Sequence, residues 1–274
     1  MEINKVHNVI DVLVTAGKAI IEVYESNDFD EQMKSDSTAV TKADKASSKI
    51  INAGLSKIFP EIPVLDEETN FPEYEIRRKW ENYFLVDPLD GTKEFIKRNG
   101  EFCINIGLIN KTAPVTGWIY EPLKEKGWFC SKGEGIFEFD SAGNFSAIKK
   151  PEKYNGKIRV ATSRSFFKPR EAELIEKMKR TFELEILHCG SSKKQIEMIK
   201  GNADMYLKAG PCSEWDTAPG QLMVEEFGGI VFRQDTFETM AYNKPILKNP
   251  YFVMLNERLN TPEFVTFMHQ IIQE

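Results

Sequence analysis

The chain has 274 residues, long for one compact domain and short for two independent ones, so one globular unit of two closely packed lobes is expected. Hydrophobic residues make up 41% and charged residues 28%, an ordinary balance that permits a large core. The net charge of -6 leaves no basic surface for polymeric nucleic acid, whereas a small anionic substrate stays admissible where local cations or metal ions offset the field.

No apolar run reaches the roughly 18 residues of a membrane-crossing helix. Glu2, Lys5 and Asp11 interrupt the N-terminal apolar pattern, which is not that of a signal peptide. The four cysteines, Cys103, Cys130, Cys189 and Cys212, lack CxxC spacing. Reduced thiols in a cytoplasmic protein are therefore expected, rather than a disulfide framework or a zinc site. Peripheral membrane association and oligomeric state are left open.

In chain order, Val6, Val9, Ile10, Leu13, Ile20, Ile21 and Tyr24 recur at helical spacing and predict a helix over residues 4–26. Residues 28–42 are polar and turn-rich, and residues 43–59 read as a second helix. IPVLDEE (62–68) and NYFLVDPLDG (82–91) both read as short strands that run into acids. Segments 103–109, 114–120, 127–130 and 135–139 alternate with turns as an antiparallel meander. The polar stretch 145–157 is taken as the boundary between a first α+β lobe, residues 1–156, and a second α/β lobe, residues 157–274. In the second lobe, strands at 157–163, 184–190, 203–208 and 229–232 alternate with helices at 170–182, 193–202, 218–228 and 261–274. Neither a GxGxxG turn nor a Walker loop is present, so no dinucleotide cofactor or P-loop is indicated.

Asp87-Pro88-Leu89-Asp90-Gly91-Thr92 carries the chemistry. A proline-pinned turn can aim both carboxylates at one place, Gly91 allows close backbone approach, and Thr92 can open a helix whose N–H groups suit phosphate. Two acids beside a phosphate are coherent only with a cation between them. Magnesium fits, and manganese would also fit oxygen ligands. A single DxxDG reads as readily as an acidic turn with a helix cap. Glu67 and Glu68 at an earlier strand end and Asp216 at a helix start shift the balance toward a carboxylate nest for two or three ions.

VTKADKAS, LDEE, DPLDGTKEF and EWDTAPG occur in the order and spacing of the inositol monophosphatase superfamily, which the chain resembles. DPLDGTKEFIKRNGEFCINIGLI, GSSKKQIEMIKGNADMYLK and AYNKPILKNPYF resemble its 3'(2'),5'-bisphosphate nucleotidase branch in particular. The resemblance implies the layered αβαβα sandwich of the sugar phosphatases, with the site between the lobes. It implies metal ligation by Glu67, Asp87, the Leu89 carbonyl, Asp90 and Asp216, with Thr92 and Asp44 orienting a metal-activated water. Gly91 and the Thr92 backbone would hold the phosphate, and Ser191, Lys194 and Lys208 would contact the rest of the nucleotide, with Asp216 at its edge. The implied reaction is hydrolysis of 3'-phosphoadenosine 5'-phosphate to AMP and phosphate, with 3'-phosphoadenylyl sulfate as a further substrate, lithium sensitivity and a role in sulfur assimilation. An inositol or sugar phosphate phosphatase, and a non-catalytic sensor binding nucleotide or metal, stand as alternatives.

Three departures from that branch bear on substrate preference. Asp66 stands where a small residue is usual, and could retune the metals or face solvent. Phe166 replaces a histidine near the adenine; stacking on the base and a core position are both open. Lys208 replaces an arginine, which exchanges a bidentate grip for a point charge. His188 is expected to be structural, because the metal chemistry needs no imidazole base, and Cys212 is read as a small buried hydrophobe. Lys93 and Lys97 read equally as anion-attracting or as a solvated helix face, and Trp215 as packing that aims Asp216.

Overall fold

The apolar stripe of the first segment folds as α1 (Ile3–Ser26), with Val9, Leu13, Ala16 and Ile20 fully buried. In the computed structural model, residues 2–26, 28–33, 39–152, 156–165 and 168–274 are described. A minimal hairpin, β1 (Gln32–Met33) and β2 (Ala39–Val40), leads into α2 (Lys42–Ile58). The start of α2 is fixed by a capping box: the Thr41 side chain caps the first turn and Asp44 reaches back to the Thr41 N–H.

Next come β3 (Val64–Asp66), the short helix α3 (Tyr74–Arg77), β4 (Asn82–Asp90), the single-turn helix α4 (Thr92–Ile96) and β5 (Cys103–Asn110). The expected meander follows as β6 (Ala113–Glu121), β7 (Lys126–Ser131) and β8 (Gly135–Asp140), with a further edge strand β9 (Phe145–Ala147). These strands form a seven-stranded sheet in the order β3-β4-β5-β6-β7-β8-β9, antiparallel throughout except for the β3–β4 pair.

The remaining chain gives β10 (Ile158–Ser163), α5 (Pro169–Lys179), β11 (Leu184–Cys189), α6 (Lys193–Ile199) and β12 (Met205–Lys208). It ends with α7 (Ala218–Glu226), β13 (Ile230–Arg233), β14 (Phe252–Leu255) and α8 (Pro262–Gln273). The second sheet has the order β11-β10-β12-β14-β13. β14 was not anticipated from the sequence. Its four residues are too few for a period to show, and they sit directly after a polar segment. Yet it inserts between β12 and β13, antiparallel to both, so this sheet is mixed rather than wholly parallel.

Strand alternation sorts the core into layers. Phe84 and Val86 of β4, Ile104 and Ile106 of β5, and Trp118 and Tyr120 of β6 face α1 and α2. Tyr83, Leu85, Cys103, Ile119 and Trp128 face the other way, onto α6, α7 and the second sheet's Tyr206, Phe252 and Met254. The far side of that sheet, Val160, Met205, Leu207 and Val253, is covered by α5 and α8 through Leu174, Met178, Phe264 and Met268. The sequence of layers is therefore helix, sheet, helix, sheet, helix, the expected αβαβα sandwich. Close approach of the middle helices needs small residues. A Cβ on Gly117 of β6 would lie 2.7 Å from the backbone of Pro219, at the start of α7. No helix is long and apolar enough to cross a membrane among the described residues.

Candidate active site

β4 pairs with β5 in register as far as Asp87↔Asn105, slips, and resumes at Asp90↔Cys103. The slip leaves Pro88 and Leu89 as a buried bulge, and Asp87 and Asp90 on either side of it both line one cleft. Ser47 of α2 pins the bulge by donating to the Pro88 carbonyl at 2.7 Å, and the Leu89 N–H donates to Asp87 Oδ1 at 3.0 Å. Gly91 then sits at φ 95°, where a Cβ would lie 2.8 Å from the Glu101 carbonyl oxygen. Glycine is required here both by conformation and by space. Gly91→Ala is expected to cost about 1–2 kcal/mol of stability from the left-handed backbone alone, read by chemical denaturation, and to lower kcat because Thr92 moves with it.

Thr92 opens α4, and its hydroxyl lies 3.0 Å from Asp44 Oδ1 and 3.3 Å from the Leu89 carbonyl. Asp44 Oδ2 meanwhile accepts from the Thr41 N–H at 2.7 Å and the Thr41 hydroxyl at 2.6 Å. The same capping residue of α2 thus fixes the carboxylate that holds Thr92. A hydroxyl has one hydrogen. Given to Asp44, it leaves the Thr92 lone pairs free to accept from a water in the cleft. Burial pushes the Asp44 carboxyl up, and the hydrogen bonds from Thr41 and Thr92 oppose that.

Asp66 neither joins the acids nor faces solvent. It is fully buried, with Oδ2 accepting from Ser48 at 3.0 Å and Asn52 at 2.6 Å, and Oδ1 accepting from the Glu68 N–H at 2.7 Å. It ties the turn that presents Glu67 to α2, while the Glu67 N–H donates to the Val86 carbonyl at 3.1 Å. Asp216 arrives from the opposite wall, on a 3₁₀ turn (Glu214–Asp216) ahead of α7, with Oδ2 accepting from the Ser213 N–H at 2.8 Å. Trp215 beside it is buried, its ring 5.4 Å from that of Phe71.

Glu67, Asp87 and Asp216 each bring a carboxylate oxygen to within 4.8 Å of the others. Asp90 lines the same cleft. Its Oδ2 accepts from Ser192 at 2.6 Å and Asn105 at 3.3 Å, and Asn105 also donates to Ser192 at 2.7 Å. Neither partner was singled out from the sequence. Asn105, a polar residue inside the apolar run CINIGLI, carried a signal; Ser192 carried none. Loss of hydration pushes the Asp87 carboxyl well up, with Glu67, Asp90 and Asp216 adding repulsion. The same causes, burial first and then Asp90 and Glu67, push Asp216 up to about 7. Asp90 is raised by burial and eased by Lys194, Ser192 and Asn105. Converging, mutually repelling oxygen donors, with the Leu89 carbonyl alongside, fit a hard divalent cation.

The cleft these residues line has a volume of about 400 Å³. Ser191, Lys194 and Lys208 form part of its wall. Both lysines are buried. Lys194 donates to the Ser191 carbonyl at 2.5 Å and the Cys189 carbonyl at 3.3 Å, and Lys208 donates to Ser163 at 3.0 Å. Burial pushes the Lys194 ammonium down; Asp90 opposes this and Lys208 adds to it. Ser191 holds a left-handed backbone at φ 40°. Lys93 lines the cleft, whereas Lys97 donates to Ser165 at 3.2 Å. His188 lies outside the cleft lining, its Nδ1 2.9 Å from the Thr162 hydroxyl. All four cysteines are free and buried, and burial holds the Cys212 thiol well above its usual range. Phe166 falls outside the described residues.

Comparison with known proteins adds to this geometry. Residues 4–271 match the family model described as "Inositol monophosphatase family". The chain is 37% identical over 217 residues to the 3'(2'),5'-bisphosphate nucleotidase CysQ of Salmonella typhimurium, covering 79% of this chain and 85% of that one. It is 30% identical over 254 residues to the protein of the same name from Haemophilus influenzae, covering 92% and 93%. Among solved structures it resembles CysQ from Bacteroides thetaiotaomicron with a TM-score of 0.80 and 31% identity, over 94% of this chain and 98% of that one.

Proposed function

The chain belongs to the inositol monophosphatase family and is a phosphatase of that superfamily, and from that premise we propose that it hydrolyses 3'-phosphoadenosine 5'-phosphate to AMP and phosphate with magnesium. The observation that carries this reading is the convergence of Glu67, Asp87 and Asp216 in one cleft with the Thr92–Asp44 pair and two buried lysines. The relatives named as bisphosphate nucleotidases support the choice of substrate.

In this reading Glu67, Asp87, Asp90, Asp216 and the Leu89 carbonyl would hold two or three divalent ions, magnesium or manganese. When bound, such ions acidify a water and neutralise charge on the phosphoryl oxygens. Thr92 donates its hydrogen bond to Asp44 and would accept one from the attacking water, which fixes the line of attack. Gly91 and the Thr92 backbone hold a phosphoryl oxygen, and Lys194, Lys208 and Ser191 take the second phosphate and the ribose side of the nucleotide. A doubly phosphorylated ligand would bring a second anion to the part of the cleft wall that carries Lys194 and Lys208. Ground-state recognition thus lies with the lysines, and the reacting phosphate with the acids.

The test is phosphate release from 3'-phosphoadenosine 5'-phosphate, 3'-phosphoadenylyl sulfate, inositol 1-phosphate and fructose 1,6-bisphosphate, each with and without lithium. Preference for the nucleotides with lithium inhibition is expected. Preference for inositol or sugar phosphate would overturn the substrate and keep the chemistry, and no turnover on any would favour a binding protein.

The acid cluster also sets a pH dependence. The Asp216 carboxyl rises from 3.8 to about 7 on folding without metal. Between those values the folded chain binds more protons than the unfolded one, so this group's contribution is fully present below pH 4 and is lost as pH rises toward 7. Asp87 and Asp90 shift in the same direction. The gain in melting temperature on adding Mg²⁺ to chelator-stripped protein is therefore expected to grow from pH 4 to pH 7, measured by thermal denaturation. A gain independent of pH would contradict it.

A further inference from the structure

Arg77 is a buried arginine whose hydrogen bonds all go to uncharged groups. It is 3% exposed and forms no ion pair among the described residues. Its Nη1 donates to Asn243 Oδ1 at 2.7 Å and its Nη2 to the Pro245 carbonyl at 2.8 Å, and its guanidinium lies 5.1 Å from the ring centre of Tyr74. Asn243 returns the bond, its Nδ2 donating to the Arg77 carbonyl at 2.7 Å. A guanidinium taken out of water without a carboxylate is costly unless its neighbours are held in place.

The neighbours are held by Glu214, which is fully buried. Glu214 Oε2 accepts from the Asn243 N–H at 2.7 Å, and Oε1 accepts from the Lys244 N–H at 3.0 Å and Lys244 Nζ at 2.6 Å. Asn243 adopts the left-handed backbone, φ 61°, that lets its main chain face Glu214 while its amide faces Arg77. Glu214 shares its 3₁₀ turn with Asp216. Further along the same strap, Asn249 Nδ2 grips that turn again, at the Ser213 carbonyl (2.6 Å) and the Thr217 hydroxyl (2.9 Å).

The two ends of this chain of bonds belong to different sheets. Arg77 lies in α3, in the connection from β3 that begins with Glu67, whereas Asn243 and Glu214 lie in segments flanking the strands of the second sheet. Phe71 of the first connection also lies against Trp215, with rings 5.4 Å apart. Glu67 and Asp216 are the two acids of the carboxylate triad that come from these separate walls.

We propose that Arg77 and Asn243 form a cross-sheet clasp which, through Glu214, sets the position of Asp216 relative to Glu67 and so the affinity of the acids for divalent cations. They are positioning residues and touch no ligand. The inference rests on the metal reading above. Supporting shells of this kind change metal affinity by about 10- to 100-fold when removed.

The test is equilibrium binding of Mn²⁺ to the full-length protein, followed by the electron paramagnetic resonance of free Mn²⁺, with no substrate present. Wild type is compared with Arg77→Met, Asn243→Gly, the double variant, and Met268→Ala in the distant α8 core as a control for lost stability. Asn243→Gly keeps the left-handed backbone and the N–H to Glu214 while deleting the side-chain bonds to Arg77. Expected are a 10- to 100-fold weaker Mn²⁺ affinity for both single variants, a double variant no weaker than either, and wild-type affinity for the control. Wild-type Mn²⁺ affinity in folded Arg77→Met and Asn243→Gly would overturn the clasp and leave the metal reading standing. Equal weakening in Met268→Ala would reduce the effect to stability and also overturn it. Absence of Mn²⁺ binding by wild type would overturn both readings.

Discussion

Asp87→Asn is expected to lower kcat by at least about 10³-fold while making the metal-free protein more stable than wild type. Asp87 is 3% exposed and carries the repulsion of Glu67, Asp90 and Asp216 on top of its lost hydration. The substitution keeps the volume and leaves an oxygen to accept from the Leu89 N–H, so the bulge in β4 persists. What it removes is one anionic charge of the triad, a metal ligand in the proposed reading. Charge stabilisation by metal is worth several kcal/mol, and each 1.36 kcal/mol is about tenfold in rate. Without metal, the neutral amide relieves the three remaining acids. The checks are kcat at saturating Mg²⁺ and urea denaturation in chelator. Near wild-type turnover would contradict the metal assignment. A less stable metal-free variant would contradict repulsion as the state of the empty triad.

Thr92→Val is expected to lower kcat by about 10²- to 10⁴-fold, the range for a positioned proton-handling group, with Mn²⁺ affinity held within a few-fold. Its hydroxyl spans Asp44 and the Leu89 carbonyl, 3.0 and 3.3 Å away, and valine keeps its shape and backbone while removing that hydroxyl. Asp44→Asn should give a comparable loss. It also disturbs the Thr41 capping box, which costs about 1 kcal/mol of stability. Because the two act as one unit, the double variant should be barely slower than either single one. Additive losses would separate Thr92 from Asp44, and a large fall in Mn²⁺ affinity would move Thr92 from the water to the metals.

The layered fold was largely legible because its signals are local. The stripe of α1, the helical segment of α2 and the alternation of β4 to β8 each fit within a short window. β14 was not legible, since four apolar residues have no measurable period and their place between β12 and β13 depends on the whole sheet. The acids that meet in the cleft were singled out by motif and resemblance, and the structure gathers Glu67, Asp87, Asp90 and Asp216 with Thr92 and Asp44 about it. What holds them was not. Ser192 reaches Asp90 across 102 positions, and Asn243 reaches Arg77 across 166, distances over which no pattern in the chain connects donor to acceptor. Asp66 shows the same limit in reverse. From the sequence it could retune the metals or face solvent, and only the packing of Ser48 and Asn52 against it shows a structural carboxylate.

The measurement that bears most directly on the proposed chemistry is phosphate release from 3'-phosphoadenosine 5'-phosphate by chelator-stripped protein, before and after Mg²⁺ is restored. No release before and multiple turnovers after are predicted. Release that is equally fast without Mg²⁺, or none in either condition, would contradict a carboxylate-held metal as the source of catalysis.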